Sequence, residues 1–351
     1  MAIFVPERKR VIPDTLDPPA AMGPSFNMSD MRLRTFGRLG WRVSEVGYGM
    51  WGMAGWTGSD DAQSAEALDR AVELGCNFFD TAFAYGDGRS ERLLRDALAR
   101  HRGTRMYAAT KVPPKNRRWP ARAETPIAEV FPYDYIVQMT HESRRNLGLE
   151  RIDLQQLHVW SDAWVEDDGW KRAAEDLKKE GAIEGFGISV NRWEPANVLA
   201  ALETGLVDSL QVVYNVFDQA PEDALFPACQ RLGVAVIARV PFDEGSLTGG
   251  MTVNDTWPEG DWRNLYFTPD KLKKTLERVD RLRPLVPAGG SLPDLALRFI
   301  LHHPAVSTTI PGMRRVHHVE ANLAASDTPP LSAEKVAALR AHRWDRDWPI
   351  P

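Results

Sequence analysis

One feature limits what this chain can fold into: strand-like and helix-like segments alternate along it from about residue 31 onward. Short apolar or β-branched runs read as strands, and segments with apolar residues three or four apart read as helices. Eight strands are expected, over Val43–Met50, Asn77–Asp80, Met106–Lys111, Asp153–His158, Ile183–Ser189, Ser209–Tyr214, Val234–Arg239 and Val306–Ile310. Helices are expected over Asp61–Leu74, Ser90–Arg100, Asp134–Leu147, Gly169–Lys179, Glu194–Glu203, Glu222–Leu232, Leu292–His302 and Arg315–Ala324, with an extra exposed one over Lys271–Arg283. The first of these stops at Gly75, and Ser90 is placed to cap the second. Joins such as LGCNFFD and LGVAVIA pass from helix to strand through a glycine, with no room for a long loop. Such repeats imply right-handed crossovers and a parallel sheet, and eight of them favour a closed (β/α)8 barrel.

The stretch Arg34–Arg42 predicts a small N-terminal hairpin under the barrel floor. Residues 1–30 carry Pro6, Pro13, Pro18, Pro19 and Pro24 without periodicity and read as an extended arm. At about 150 residues per domain, 351 residues would suggest two domains. The strand count instead predicts an arm over 1–30 and a single barrel over 31–351. Two long insertions, Pro113–Pro132 and Asp243–Asp270, follow the third and seventh strands. That is the face on which barrel enzymes keep their sites.

Composition narrows the function classes. Lys and Arg number 43 against 48 Asp and Glu, a net charge of −5, so nothing asks for nucleic acid or a membrane surface. Two cysteines, Cys76 and Cys229, are too few for a disulfide scaffold or a four-cysteine zinc site, and both sit in apolar settings that read as core. The adjacent pairs His302–His303 and His317–His318 do not share a helix face, so no metal site is expected. No apolar run approaches the roughly 18–20 residues needed to span a bilayer, and the basic N-terminus lacks the apolar core of a signal peptide. A cytoplasmic location is the expectation.

Four residues then stand out by position. Asp80 ends the second strand, Tyr85 follows five residues later, Lys111 ends the third strand, and His158 ends the fourth. They would converge at one barrel mouth. An unperturbed tyrosine, with a pKa near 10, exchanges protons poorly at neutral pH. A neighbouring ammonium favours its phenolate, a carboxylate keeps that ammonium charged, and an imidazole can orient a carbonyl oxygen. Each residue alone also has an ordinary structural explanation, as a turn cap, a snorkelling lysine or a core histidine. Aromatic residues surround the expected mouth: Trp51 and Trp56 after the first strand, Trp160 and Trp164 after His158, with Phe83 and Tyr133 as further candidates. These could stack on sugar rings or hydrophobic ketones, or pack loops onto the barrel.

The segments DTAFAYGDGRSE, AATK, LHVW, GISVN, QVVYN, VPFDEGSLTG and STTIPGMRR resemble the aldo-keto reductase superfamily in order and spacing, from about Arg34 to Ala324. The resemblance implies an NADPH-dependent oxidoreductase that reduces an aldehyde or ketone to an alcohol. It implies Tyr85 as general acid, Lys111 tuning it, Asp80 pairing with Lys111, and His158 orienting the carbonyl. It also carries cofactor roles onto Ser189 and Gln211 for the nicotinamide carboxamide, and onto Pro241, Gly245, Leu247, Gly312, His318 and Asn322. Arg314 matches the residue that holds a 2′-phosphate, which favours NADPH over NADH. The chain departs from the pattern at three places. Val190 separates Ser189 from Asn191, Arg239 stands where an aromatic side chain stacks on nicotinamide, and His318 and Ala321 replace usual adenosine contacts. A cationic Arg239 is expected to favour the reduced cofactor, whose ring is uncharged.

The implied partner is a small carbonyl or alcohol substrate. A non-catalytic, NADPH-binding regulatory member of the same superfamily is the alternative. A Schiff-base lyase using Lys111 would leave Tyr85 and Arg314 unexplained.

Overall fold

Gly37 shows how the floor of the molecule is made. In the computed structural model, which describes residues 31–54, 58–346 and 348, strands β1 (Leu33–Phe36) and β2 (Trp41–Ser44) form an antiparallel hairpin. Its tip turns at Gly37, with φ of 46°. A Cβ there would lie 2.5 Å from the Ala235 nitrogen and 2.6 Å from the Gly233 oxygen. Arg38 donates its backbone N–H to that same oxygen at 2.6 Å. The hairpin buries Phe36, Trp41 and Val43 against Phe78, Tyr107, Leu154, Ala235 and Ile237, closing the N-terminal end of the barrel as expected.

Eight parallel strands follow: β3 (Tyr48–Gly49), β4 (Phe78–Asp80), β5 (Tyr107–Val112), β6 (Ile152–Leu157), β7 (Ile183–Ser189), β8 (Ser209–Val213), β9 (Ala235–Arg239) and β10 (Val306–Thr309). Their order is sequential from β3 to β10. Bridges Val46–Thr309 and Gly49–Gly312 join the first to the last, so the sheet closes into a (β/α)8 barrel. The expected first strand, Val43–Met50, is divided between the hairpin and the barrel. The chain crosses between them at Gly47, where a Cβ would sit 2.9 Å from Thr308 Oγ1.

The helices are α1 (Asp61–Glu73), α2 (Arg89–Arg100), α3 (Ile127–Val130), α4 (Tyr133–Leu147), α5 (Asp168–Glu180), α6 (Leu199–Glu203), α7 (Leu225–Leu232), α8 (Arg263–Tyr266), α9 (Pro269–Leu282), α10 (Leu292–His302), α11 (Val316–Leu323) and α12 (Ala333–Arg340). Most match the periodicity within a residue or two. α2 starts one residue early, with left-handed Gly88 at its N-cap, and Ser90 Oγ accepts from the Thr81 hydroxyl at 2.7 Å instead of capping. The helix expected over Glu194–Glu203 is only Leu199–Glu203, because Pro195 and the turns after it delay regular hydrogen bonding. Cys76 and Cys229 are buried thiols. Among the described residues no helix is long and apolar enough to cross a membrane. The expected arm and Trp56 lie outside the described residues.

Gly37→Ala is expected to destabilise the protein by about 2 kcal/mol or more, since it combines a left-handed φ with a clash against backbone that cannot rotate away. The midpoint of urea unfolding checks this.

Candidate active site

The C-terminal ends of β4 and β5 bring a carboxylate and an ammonium together inside the barrel mouth. Lys111 Nζ lies 2.6 Å from Asp80 Oδ2, and the two side chains are 0% and 3% exposed. Nζ also donates to the Thr81 carbonyl at 2.8 Å and to the Tyr85 hydroxyl at 3.4 Å. The other oxygen of Asp80 accepts from Gln211 Nε2 at 2.7 Å and from Gln156 Nε2 at 3.4 Å. The lysine and its carboxylate are thus satisfied on every side, as buried charges must be. Burial alone would lower the Lys111 pKa; Asp80 and Tyr85 outweigh it and hold the ammonium above its ordinary value.

Tyr85 and His158 sit half-buried at the rim, their rings 5.7 Å apart and edge to face. Burial raises the Tyr85 pKa and Lys111 only partly offsets it, so the balance differs from the lysine-lowered phenol expected from sequence. The hydroxyl therefore stays protonated at neutral pH. Burial, Lys111 and Arg239 push the His158 pKa well below its usual range, which leaves a neutral imidazole. Its Nδ1 is buried without a hydrogen-bond partner among the described residues. The arrangement can present a phenol O–H and an imidazole N–H to one oxygen atom.

The rest of the mouth divides into residues that face it and residues that hold it. Ser189 ends β7 and Gln211 lies in register with it on β8. Arg239 ends β9 and donates from Nη2 to the Val190 carbonyl at 3.0 Å, while its Nε is buried with no partner among the described residues. Burial and Arg192 bring its pKa down to about 10, so it remains a cation. Asn191 turns away from the mouth, bonding the backbone of Ala121 at 3.2 and 3.1 Å and Glu194 at 2.9 Å. After β9, Pro241 leads into the Asp243–Thr248 turn that contains Gly245, with φ of 102°, and buried Leu247.

Past β10, Gly312 pairs with Gly49, and a Cβ on it would meet nothing within 4 Å. The Arg314 side chain lies along Gly52, whose Cβ would come 3.2 Å from its Cδ. His318 and Asn322 follow on α11, half-buried and buried. Open space at Gly312, a nearby guanidinium and an N-terminal helix end suit an extended anionic ligand. Among the described residues no group of three or more His, Cys, Asp or Glu could hold a metal ion.

The aromatic residues need correction. Trp160 and Trp164, expected to line the mouth, are 0% and 3% exposed. They pack with each other, with Trp170 and with Phe131 in edge-to-face pairs, because the turn after β6 folds them into the layer beneath the loops. Trp164 Nε1 donates to the Thr125 carbonyl at 2.8 Å and so anchors the Pro113–Pro132 insertion. Tyr133 faces the outer helices, bonded to Asp176 at 2.9 Å. Trp51 is exposed and Phe83 half-buried. Sequence reasoning missed Trp119. It stands 43% exposed within that insertion, its ring 5.8 Å from His158 and nearly perpendicular to it. Nothing periodic marks it, although a tryptophan inside a long top-face loop was a signal. Gln156 and Arg192 were also missed.

A barrel with this constellation at its mouth is the architecture of a known class of oxidoreductase, and comparison with known proteins agrees. The profile of the Aldo/keto reductase family matches residues 45–343. This chain belongs to that family and is an oxidoreductase. It is 29% identical over 320 residues to the uncharacterized oxidoreductase YqkF of Bacillus subtilis (strain 168), covering 89% of this chain and 96% of that one. It is 28% identical over 294 residues to the aldo-keto reductase yakc [NADP(+)] of Schizosaccharomyces pombe (strain 972 / ATCC 24843), covering 81% and 84%. The holo form of the aldo-keto reductase AKR11C1 from Bacillus halodurans superimposes with a TM-score of 0.71 at 29% identity, covering 91% and 98%.

Asp80→Asn is expected to lower stability by about 3 kcal/mol, because it strands the Lys111 ammonium in the barrel without its counter-charge. Chemical denaturation of both proteins at neutral pH measures it.

Proposed function

We propose that the protein is an NADPH-dependent carbonyl reductase with Tyr85 as general acid. The observation that carries this reading is the Asp80–Lys111–Tyr85 chain of contacts, at 2.6 and 3.4 Å, opening beside a neutral His158. When bound, NADPH supplies a hydride to the carbonyl carbon. The chain's own residues do the rest. His158 donates a hydrogen bond that fixes the carbonyl oxygen. Tyr85 gives that oxygen its proton as charge develops there. Lys111 then stabilises the phenolate left behind, and Asp80 keeps Lys111 charged and aimed. One hydride and one proton convert the carbonyl to an alcohol.

Ser189 and Gln211 would hold the carboxamide, although Gln211 already spends its amide nitrogen on Asp80. The turn containing Pro241, Gly245 and Leu247 would cover the pyrophosphate. Arg314 would pair with the 2′-phosphate, with His318 and Asn322 toward the adenosine. The S. pombe relative carries NADP(+) in its name. Arg239 would lie against the nicotinamide, which favours the uncharged, reduced ring. Trp119 and Trp51 offer exposed aromatic faces to an apolar or planar carbonyl compound.

Tyr85→Phe is expected to lower kcat for reduction by about a thousandfold while leaving NADPH binding intact. A raised Tyr85 pKa keeps the proton on the acid as pH climbs. The rate of the wild type should therefore hold from about pH 6 to about pH 9 and fall only in the alkaline limb where the phenol ionises. Steady-state assays on an aldehyde and ketone panel, following loss of NADPH absorbance, test both. Arg314→Ala is expected to raise the KM for NADPH by about tenfold or more and that for NADH by far less. Equal changes would sink the phosphate assignment.

A further inference from the structure

Asp243, Glu244 and Gly245 take φ of 45°, 56° and 102° in succession, a left-handed run that non-glycine residues seldom enter. Contacts from outside the turn hold it, and two arginines make them. Arg192, just past β7, pairs with Glu244 and donates to the Tyr266 hydroxyl at 3.2 Å. Arg346 comes from the segment beyond α12 and spans two carboxylates. Its Nη1 lies 2.9 and 3.0 Å from the oxygens of Asp218, and its Nη2 lies 2.9 Å from Asp243 Oδ1. The side chains of Arg346 and Asp243 are both 0% exposed. Asp243 also accepts from Ser246 Oγ at 2.7 Å and from the Tyr266 hydroxyl at 2.9 Å. One guanidinium thus links the loop after β8, through hydrogen bonds from Nη1, to the turn after β9, through an ion-pair contact from Nη2.

The segment that carries Arg346 is itself pinned. The Trp344 N–H donates to the Phe217 carbonyl at 2.8 Å, and Arg343 grips both oxygens of Asp223 at 2.7 Å. Trp348 packs edge-on against Trp344 and Tyr266, at 5.1 and 5.4 Å. Without Arg346, Asp218 and Asp243 would be buried without the cation they share. The simplest relief is for the Asp243 turn to swing toward water.

We infer that Arg346 is a positioning residue for the cofactor. The C-terminal segment straps the Asp243–Thr248 turn, with Gly245 and Leu247, into the conformation that retains NADPH. This rests on the functional reading above. The test measures Arg346→Met and Arg346→Lys against wild type in two ways. Hydrogen exchange of residues 240–250 is followed in the free enzyme, and the NADPH dissociation rate is followed by stopped-flow fluorescence. Faster exchange and an NADPH off-rate raised by about tenfold are expected for R346M, with R346K in between. The KM of the carbonyl substrate at saturating NADPH should stay unchanged, which a general loss of structure would not allow. Wild-type binding with an unaltered off-rate in R346M overturns the inference alone. A wild-type protein that fails to bind NADPH overturns the functional reading and the inference together. If R346M does not fold, Asp218→Asn carries the same two measurements with the same expected direction.

Discussion

The buried ion pair between Asp80 and Lys111 is the interaction around which the barrel mouth is organised. Two charges withdrawn from water at 2.6 Å are stable only if each finds its remaining partners. Here the partners come from neighbouring strands, Gln156 on β6 and Gln211 on β8, with the Thr81 carbonyl closing the set. Every one of these contacts depends on strand register. Asp80 faces Ala109, Lys111 faces Gln156, and Ser189 faces Gln211 across successive pairs. A slip of one residue on β5 would turn Lys111 out of the barrel and strand Asp80. The hairpin at the other end contributes to that precision, because Phe36 and Trp41 fill the floor and leave the strands little freedom to slide.

Rigid loops extend the same logic above the strands. Trp164 and Asn191 both anchor the Pro113–Pro132 insertion, one at the Thr125 carbonyl and the other at the Ala121 backbone. The insertion therefore holds Trp119 beside His158 as part of a fixed wall. Tryptophan serves two purposes within a few residues here. Below the loops it packs, in the Trp160–Trp164–Trp170 cluster, and above them it meets solvent at Trp119 and Trp51.

That double use explains much of what the sequence did and did not make legible. The barrel was readable because Gly-terminated helices and apolar strands recur with short joins, and every expected barrel strand has a counterpart. Asp80, Lys111 and His158 could be placed at one mouth from strand ends, and Tyr85 from its place in the loop after the second strand, and the structure brings the four together there. Tryptophan near a strand end, by contrast, carries no sign of whether it faces inward or outward. The loop after β6 folds Trp160 onto Trp164 and Trp170, and only coordinates reveal it. The split of Val43–Met50 was hidden for a related reason. Both halves are apolar, and the division is made by a close backbone approach at Gly47 that no side-chain pattern records. Contacts such as Arg346 with Asp243 link residues about a hundred positions apart, beyond any periodicity.

The distribution of charge joins these observations. The chain carries a net charge of −5, yet the mouth gathers Lys111 and Arg239 inside the barrel, with Arg314 beside the shelf at Gly52. Asp80 neutralises the first of these, so any pull on a small anion at the mouth comes from the arginines. Arg239 adds a second effect. Together with burial and Lys111 it keeps His158 neutral, and a neutral imidazole with its Nδ1 unpartnered can settle either tautomer to suit an incoming oxygen. An aromatic side chain at position 239 would remove one of the two cations, Lys111 and Arg239, that act on that imidazole among the described residues. The arginine therefore adds to what burial and Lys111 already do to keep the histidine neutral.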